Sequence, residues 1–361
     1  MRKFLLSLLV VVVVLPSFVG AETTPGTAAD FFEQGKRLLE KGLFDKAVQE
    51  FSNAIDLDEN LTMARYYRGI AYVRLESYAL AIVDFSEYVS KEQEDEKGWF
   101  WLGQARFGFG EYDQALRAVE RALELNEFYA PAFVLKGDIR KAQKQYQAAI
   151  KHYSQALKVY VFDLEVIRKR VECYMNVGEY ELVIEDCSAI LAQLPDYYEA
   201  YYLRATAYKA LLRIKDAQAD INKGLRTDPN KDNPFAMFSR AMCRMLLGNF
   251  DGAVADLRTA AFVKSPDRAS YSFHFCVALG ASGRLQDVRA EFELAKKNLP
   301  AIVGEEEFNK RWKVLFSYAA DVADRQDLVQ QVISNIDDLK FCGRAYYAIA
   351  IRKLVNGKRM E

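Results

Sequence analysis

At 361 residues, 51% of them hydrophobic and 27% charged, the chain carries enough apolar mass for a continuous core. A formal net charge of −1, with no basic stripe and no aromatic–basic RNA motif, excludes nucleic acid as an expected partner. Two histidines and five cysteines, at spacings that match no zinc ligand set or triad, argue against a metal centre or a catalytic site. The N-terminus reads Met1-Arg2-Lys3, an almost wholly apolar run from Phe4 to Leu15, then Pro16, Ser17 and Val19-Gly20-Ala21. A basic start, a short apolar stretch and small residues at a cut site predict a secretory signal peptide over 1–21, cleaved after Ala21. The run falls short of the ~20 residues that a membrane span needs. Residues 22–27 follow as a linker.

From Ala28 a 34-residue period governs the chain. With Ala28 as position 1, position 8 reads Gly35, Gly69, Gly103, Gly137, Val171, Ala205, Ala241 and Cys276. Position 20 reads Ala47, Ala81, Ala115, Ala149, Val183, Ala217, Ala253 and Val288. Position 27 is mostly small, with Tyr88 and Ile190 as exceptions. Position 24 is mostly large: Phe51, Phe85, Val119, Tyr153, Cys187, Ile221, Leu257 and Phe292. Position 17 opens the second helix on an aromatic at Phe44, Tyr78, Tyr112, Tyr146, Tyr180 and Phe250. Small residues at fixed phases let two antiparallel helices approach, and the large ones fill the remaining volume. The predicted fold is therefore all-α, with no strands. The phase slips around Thr227–Pro234 and again near Lys264–Asp267, both Pro/Asp/Asn-rich turns that tolerate extra residues.

This pattern resembles the tetratricopeptide repeat (TPR) family, most closely at Trp99, Leu102, Gly103, Ala115 and Ala122, with Pro195, Pro229 and Pro300 closing units. The resemblance implies a right-handed superhelix of about eight helical hairpins over 28–302. After Pro300 the code fades, and 303–361 reads as a degenerate helical C-terminal cap and tail, since a solenoid must cover its last apolar face.

In TPR proteins the first helices line the concave face. If that carries over, the partner-binding row is position 5: Phe32, Tyr66, Phe100, Val134, Arg168, Tyr202, Phe238 and Phe273. Its aromatic members suit a peptide segment with apolar anchors. The competing reading packs these rings between neighbouring first helices. Arg168 and Lys169, with Glu165 and Glu172, form a charged face in the fifth unit that is a polar hot spot or a solvated helix surface. The amides used by chaperone-tail clamps of the family are missing beside Phe32, Lys36, Tyr67, Lys97 and Trp101.

The remaining chemistry has structural readings. His152 and His274 have no ligand or triad neighbours and read as surface or groove residues. Cys187 and Cys276 hold packing phases and read as buried free thiols, with a Cys173–Cys187 disulfide as the alternative. Gly103, Gly108 and Gly110 read as packing and turn glycines, and Lys91–Lys97 as a solvated inter-repeat turn. No catalytic, cofactor or metal residue is expected. The expectation is an exported, non-catalytic scaffold in the bacterial periplasm or cell envelope. It binds a protein or peptide and has no membrane span once the signal is cut. The alternative is an endoplasmic-reticulum luminal TPR co-chaperone that binds unfolded client segments, although the chain contains no His-Pro-Asp.

Overall fold

A computed structural model describes residues 26–262 and, beyond them, single residues between 271 and 297. The expected signal segment, most of the expected linker, the second phase slip, Cys276, Phe273 and the expected C-terminal cap lie outside the described residues. Fourteen α-helices and no strand occur among those described. They fall into two compact units, residues 1–143 and 144–361, where the repeat pattern itself runs on without a break.

The first unit holds α1 (Ala28–Glu40), α2 (Phe44–Leu57), α3 (Thr62–Arg74), α4 (Tyr78–Lys91), α5 (Glu96–Phe109), α6 (Tyr112–Leu125) and α7 (Ala130–Ala142). The second holds α8 (Tyr146–Val159), α9 (Leu164–Val177), α10 (Tyr180–Gln193), α11 (Tyr198–Ala210), α12 (Ile214–Thr227), α13 (Pro234–Leu246) and α14 (Phe250–Phe262). Helices pair within a hairpin as α1–α2, α3–α4, α5–α6, α9–α10, α11–α12 and α13–α14, and each second helix also packs on the next first helix. First helices touch across hairpins, α1 with α3, α3 with α5 and α5 with α7. The first-helix layer is therefore the inner side of the curve in the first unit.

The predicted close approach is at position 8. A Cβ on Gly35 would sit 2.6 Å from the Phe51 ring, and one on Gly69 would sit 2.8 Å from Phe85. At Gly103 it would meet Val119 Cγ2 at 2.7 Å and the Ala115 carbonyl at 3.3 Å. Position 24 supplies the facing side chain each time. Where position 8 grows to Val171, position 24 shrinks to Cys187, and both are fully buried. Tyr88, the departure from the small phase 27, is accommodated in the same way. It lies over Gly98 of the next hairpin, where a Cβ would come within 2.6 Å of its ring. Its hydroxyl donates to Asp95 at 2.8 Å. Asp95 also caps α5, accepting from the Lys97 N–H at 3.1 Å, so the acidic 91–97 turn has a structural centre as well as a solvated rim.

Among the described residues, each hairpin turns on one left-handed residue at position 15. Gly42, Gly110, Gly178 and Gly248 have φ between 72° and 90°, while Glu76, Lys144 and Leu212 hold φ of 58–60° at the same phase. Glycine enters this region without a Cβ penalty, and the other three residues are strained there.

A polar ladder runs beside the apolar one. Arg68 grips Asp84 through Nε and Nη2, both at 2.8 Å, and donates from Nη1 to Ser52 of the preceding second helix at 2.9 Å. Arg170 repeats this with Asp186 and Ser154. Arg204 does so with Asp220 and Ser188, and Arg240 with Asp256 and Asn222. Each guanidinium thus ties its own hairpin together and ties it to the one before, through a bidentate pair that orients both groups. The hydrogen bonds to Asp84 and Asp220 favour the charged form of Arg68 and Arg204 and raise their pKa. Tyr72, Tyr174 and Tyr208, four residues on, lie about 6 Å from the guanidinium carbons of Arg68, Arg170 and Arg204. In the third hairpin Leu102 and Ala118 hold the same two phases and belong to one buried apolar cluster.

Candidate first-helix binding surface

Tyr66 is 9% exposed, its ring 4.9 Å from Tyr88, 5.3 Å from Tyr67 and 6.0 Å from Phe85. It lies in the core of the second hairpin, and the expectation that it stands on an open row is corrected. Burial and the nearby Asp95 carboxylate push its phenol pKa up. Phe32 and Phe100 are half-buried. Phe32 packs on Phe51 at 6.0 Å and Tyr67 at 5.7 Å, and Phe100 on Trp101 and Tyr129, each at 5.5 Å. The reason is helical geometry. Position 5 lies about 60° around the helix from position 8, the point of closest approach, and is drawn toward the core.

Position 6 lies about 160° from position 8 and carries the aromatics that sequence reasoning passed over. Tyr67 stacks on Phe51 at 6.0 Å and 20°, and Trp101 stacks on Phe85 at 6.2 Å and 11°. Both are half-buried, as Phe32 and Phe100 are, whereas Tyr66 is buried. Lys36 brings its ammonium within 5.4 Å of the Phe32 ring and 6.0 Å of Tyr67, with Glu33 at 3.1 Å. Half-buried Ile70 and Gln104 follow on α3 and α5, three residues beyond Tyr67 and Trp101, where i,i+3 spacing puts them on the same side. The first unit thus presents a patch of two flat rings, an aliphatic side chain, a cation and an amide. The signal was legible in the doubled aromatics Tyr66-Tyr67 and Phe100-Trp101.

In the second unit the expected residues do not form a row. Tyr202 is half-buried above Gly224, where a Cβ would come within 2.5 Å of its ring, and donates its hydroxyl to Asp228 at 2.9 Å. Burial, then that hydrogen bond, push its phenol pKa up. Phe238 packs on Tyr271 and on His274, each at 5.0 Å. His274 is 6% exposed, so the expectation of a surface or groove histidine is corrected there; it lies edge-on to Phe238 in the interior. Arg168 is exposed and reaches Glu165 at 3.5 Å, which fits the solvated reading of that face, and Lys169 beside it is half-buried. Phe273 lies outside the described residues. Cys173, Cys187 and Cys243 are buried and form no disulfide, and burial pushes the Cys187 thiol up to about 12. Among the described residues no His/Cys/Asp/Glu group could hold a metal, and no helix is long and apolar enough to cross a membrane.

Two family descriptions match the chain. The C-terminal ARM domain of tetratricopeptide repeat protein 21 matches residues 38–200, and the tetratricopeptide repeat itself matches 198–231. The second match begins at Tyr198, position 1 of the sixth hairpin. The chain is a tetratricopeptide-repeat protein. Its TPR architecture is shared with the C-terminal part of a TPR protein from Cytophaga hutchinsonii, at a TM-score of 0.57 and 17% identity, covering 63% of this chain and 93% of that one. Among curated proteins it is similar to DnaJ homolog subfamily C member 3 of Gallus gallus, 26% identical over 58% of this chain and 44% of the relative. The Homo sapiens counterpart is 25% identical over 62% and 47% respectively. The Hsp70-Hsp90 organizing protein of Triticum aestivum is 22% identical over 55% of this chain and 40% of its own length. The chain spans about half the length of these relatives or less. At the level of the family, it is a TPR-type interaction scaffold.

Proposed function

We propose that this scaffold is non-catalytic and exported to the bacterial periplasm or cell envelope, where its first-helix face holds an extended segment of a protein partner. The observation that carries the reading is half-buried Tyr67, with the Lys36 ammonium 6.0 Å from its ring, and half-buried Trp101 at the same phase of the next first helix, on the inner side of the first unit's curve. Flat rings already stacked against the core lose little freedom on binding and offer apolar anchoring, and binding energy concentrates in such residues. The signal-like N-terminus supports the location. The similarity to DnaJ homolog subfamily C member 3 supports a second reading, a luminal endoplasmic-reticulum co-chaperone that binds unfolded client segments by the same face.

A displayed library of extended peptides, selected on the full chain, tests the site. Peptides enriched on the parent are expected to lose at least tenfold in affinity on Tyr67→Ala/Trp101→Ala when the melting curve is little changed. Equal binding by parent and variant overturns the assignment. N-terminal sequencing of the native protein tests export: a start at Glu22 is expected, and an intact Met1 in the cytosol rules export out.

A further inference from the structure

Between α12 and α13 the repeat step lengthens from 34 to 36 residues, and the added loop is an ordered structure. Asp228 is 2% exposed and accepts from Tyr202 Oη at 2.9 Å, Asn233 Nδ2 at 2.9 Å and the Asn230 N–H at 2.8 Å. Burial acts to raise its pKa, and the hydrogen bonds from Asn233, Asn230 and Tyr202 outweigh that and hold it below the usual value. Its charge is thus met by two donors of the loop and by Tyr202 of α11, with Lys231 as a nearby countercharge. The loop carries Lys231 back over the end of α12, where its Nζ donates to the Arg226 carbonyl at 2.5 Å.

This arrangement borders an open pocket of about 390 Å³ lined by Asn222, Leu225, Arg226, Lys231, Met237 and Arg240. Arg240 is preorganised. Nε and Nη2 are fixed on Asp256 at 2.9 and 2.7 Å, and Nη1 donates to Asn222 at 3.1 Å. Those bonds use three of the five N–H groups of a guanidinium. Asp256 is shared with Arg244 at 2.8 Å, so two guanidinium groups divide one carboxylate. Arg226 makes no ion pair among the described residues, and Lys231 donates to that carbonyl with the Asp228 carboxylate as its nearby countercharge. The other nearby acid, Asp232, is exposed on the loop and is not part of the lining. A surplus of cations therefore surrounds the mouth, while Leu225 and Met237 supply an apolar wall.

We propose that this pocket is a binding site for a phosphate monoester, with the phosphate on Arg226, Lys231 and Arg240 and the carbon portion against Leu225 and Met237. A dianion with three terminal oxygens matches a fixed guanidinium plus two mobile cations better than a monocarboxylate does. The site lies in the second unit, in the groove between a second helix and the next first helix, and does not depend on the function proposed above.

The test is methyl NMR on the full chain labelled at methionine methyls, following Met237 during titration with inorganic phosphate, glycerol 3-phosphate, a blocked phosphoserine and acetate. Glycerol 3-phosphate or phosphoserine is expected to move the Met237 signal saturably, more tightly than inorganic phosphate. The tighter of the two indicates whether the natural source is a small metabolite or a modified side chain. Arg226→Gln/Lys231→Gln is expected to weaken that binding at least tenfold, with helicity and melting retained because both side chains are exposed. Arg226→Glu/Lys231→Glu is expected to abolish it. The proposal is overturned if no phosphate probe moves Met237 saturably, if acetate matches the monoesters, or if either double variant binds as the parent does.

Discussion

Asp186 lies sixteen residues beyond Arg170, on the partner helix of the same hairpin, and accepts from Arg170 Nε at 2.9 Å and Nη2 at 2.6 Å. The pair is nearly enclosed, with side-chain exposures of 18% for Arg170 and 10% for Asp186. Removing one member strands the other. Arg170→Ala or Asp186→Ala is expected to cost about 3–5 kcal/mol in denaturant unfolding. The double change Arg170→Leu/Asp186→Ala, which copies Leu102 and Ala118 of the third hairpin, is expected to cost less than either single change. Equal or additive losses would show that the charges themselves, not just their mutual satisfaction, hold the hairpin.

Gly103→Leu drives a side chain into Val119 and the Ala115 backbone, whose atoms already lie within 3.3 Å of where a Cβ would sit. The backbone oxygen cannot rotate away as a side chain does. A loss of about 2–4 kcal/mol is expected, read as a lower denaturation midpoint. A variant that melts with the parent would contradict the placement of position 8 between α5 and α6.

Leu212 is 70% exposed and held at φ 58° in the turn between α11 and α12. Glycine removes the left-handed strain, partly offset by its freer unfolded chain, so Leu212→Gly is expected to stabilise by about 0.5–1 kcal/mol. Gly178→Leu, at φ 82° in the turn before α10, is expected to move the melting temperature the other way.

Three phenols resist ionisation. Tyr66, Tyr88 and Tyr202 all have their pKa raised from 10.0, by burial first and by Asp95 or Asp228 second. The folded state favours the neutral form, so their stabilising contribution is complete below pH ~10 and is lost as pH rises beyond it. Absorbance at 295 nm is expected to show a group of tyrosines that titrate late, together with loss of helicity. Tyr202→Phe should remove one tyrosine from that group. Complete, reversible titration of every tyrosine in the folded protein near pH 10 would falsify this.

Phe32→Ala, Tyr66→Ala and Phe100→Ala combined are expected to melt early or fail to fold. Tyr66 alone fills a site 9% exposed, and removing a buried aromatic side chain costs about 3–5 kcal/mol. Circular dichroism melts of the triple variant and of Tyr67→Ala/Trp101→Ala show which of the two phases carries more of the packing.

The helices and their pairing were legible because the 34-residue phase is carried by volume: Gly35 under Phe51 and Gly69 under Phe85 read the same in sequence and in space. The proposed patch lies one residue from the expected row, because Tyr66 is buried. Phases 5 and 6 are both aromatic in the second and third hairpins, and composition does not say which ring turns inward; the angle to position 8 does. The arginine ladder stands in the sequence as four Arg–Asp pairs at a spacing of sixteen, which the small-and-large phase pattern does not single out. Burial, which does, depends on the neighbouring hairpin. The left-handed turn residue showed itself where it was glycine and was hidden at Glu76, Lys144 and Leu212.

The fit of Tyr88 into the space left by Gly98 bears on how this array can evolve. Tandem arrays lengthen and shorten by gain or loss of whole copies, and a generic copy can be exchanged with little harm. Here the tenon on one hairpin matches a mortise on its neighbour. Excising residues 95–128 would keep the period intact yet set Tyr88 against Ala132, whose methyl group would occupy the space that the ring needs. The hairpins are therefore keyed by order, and copy-number drift across that junction is selected against by shape alone.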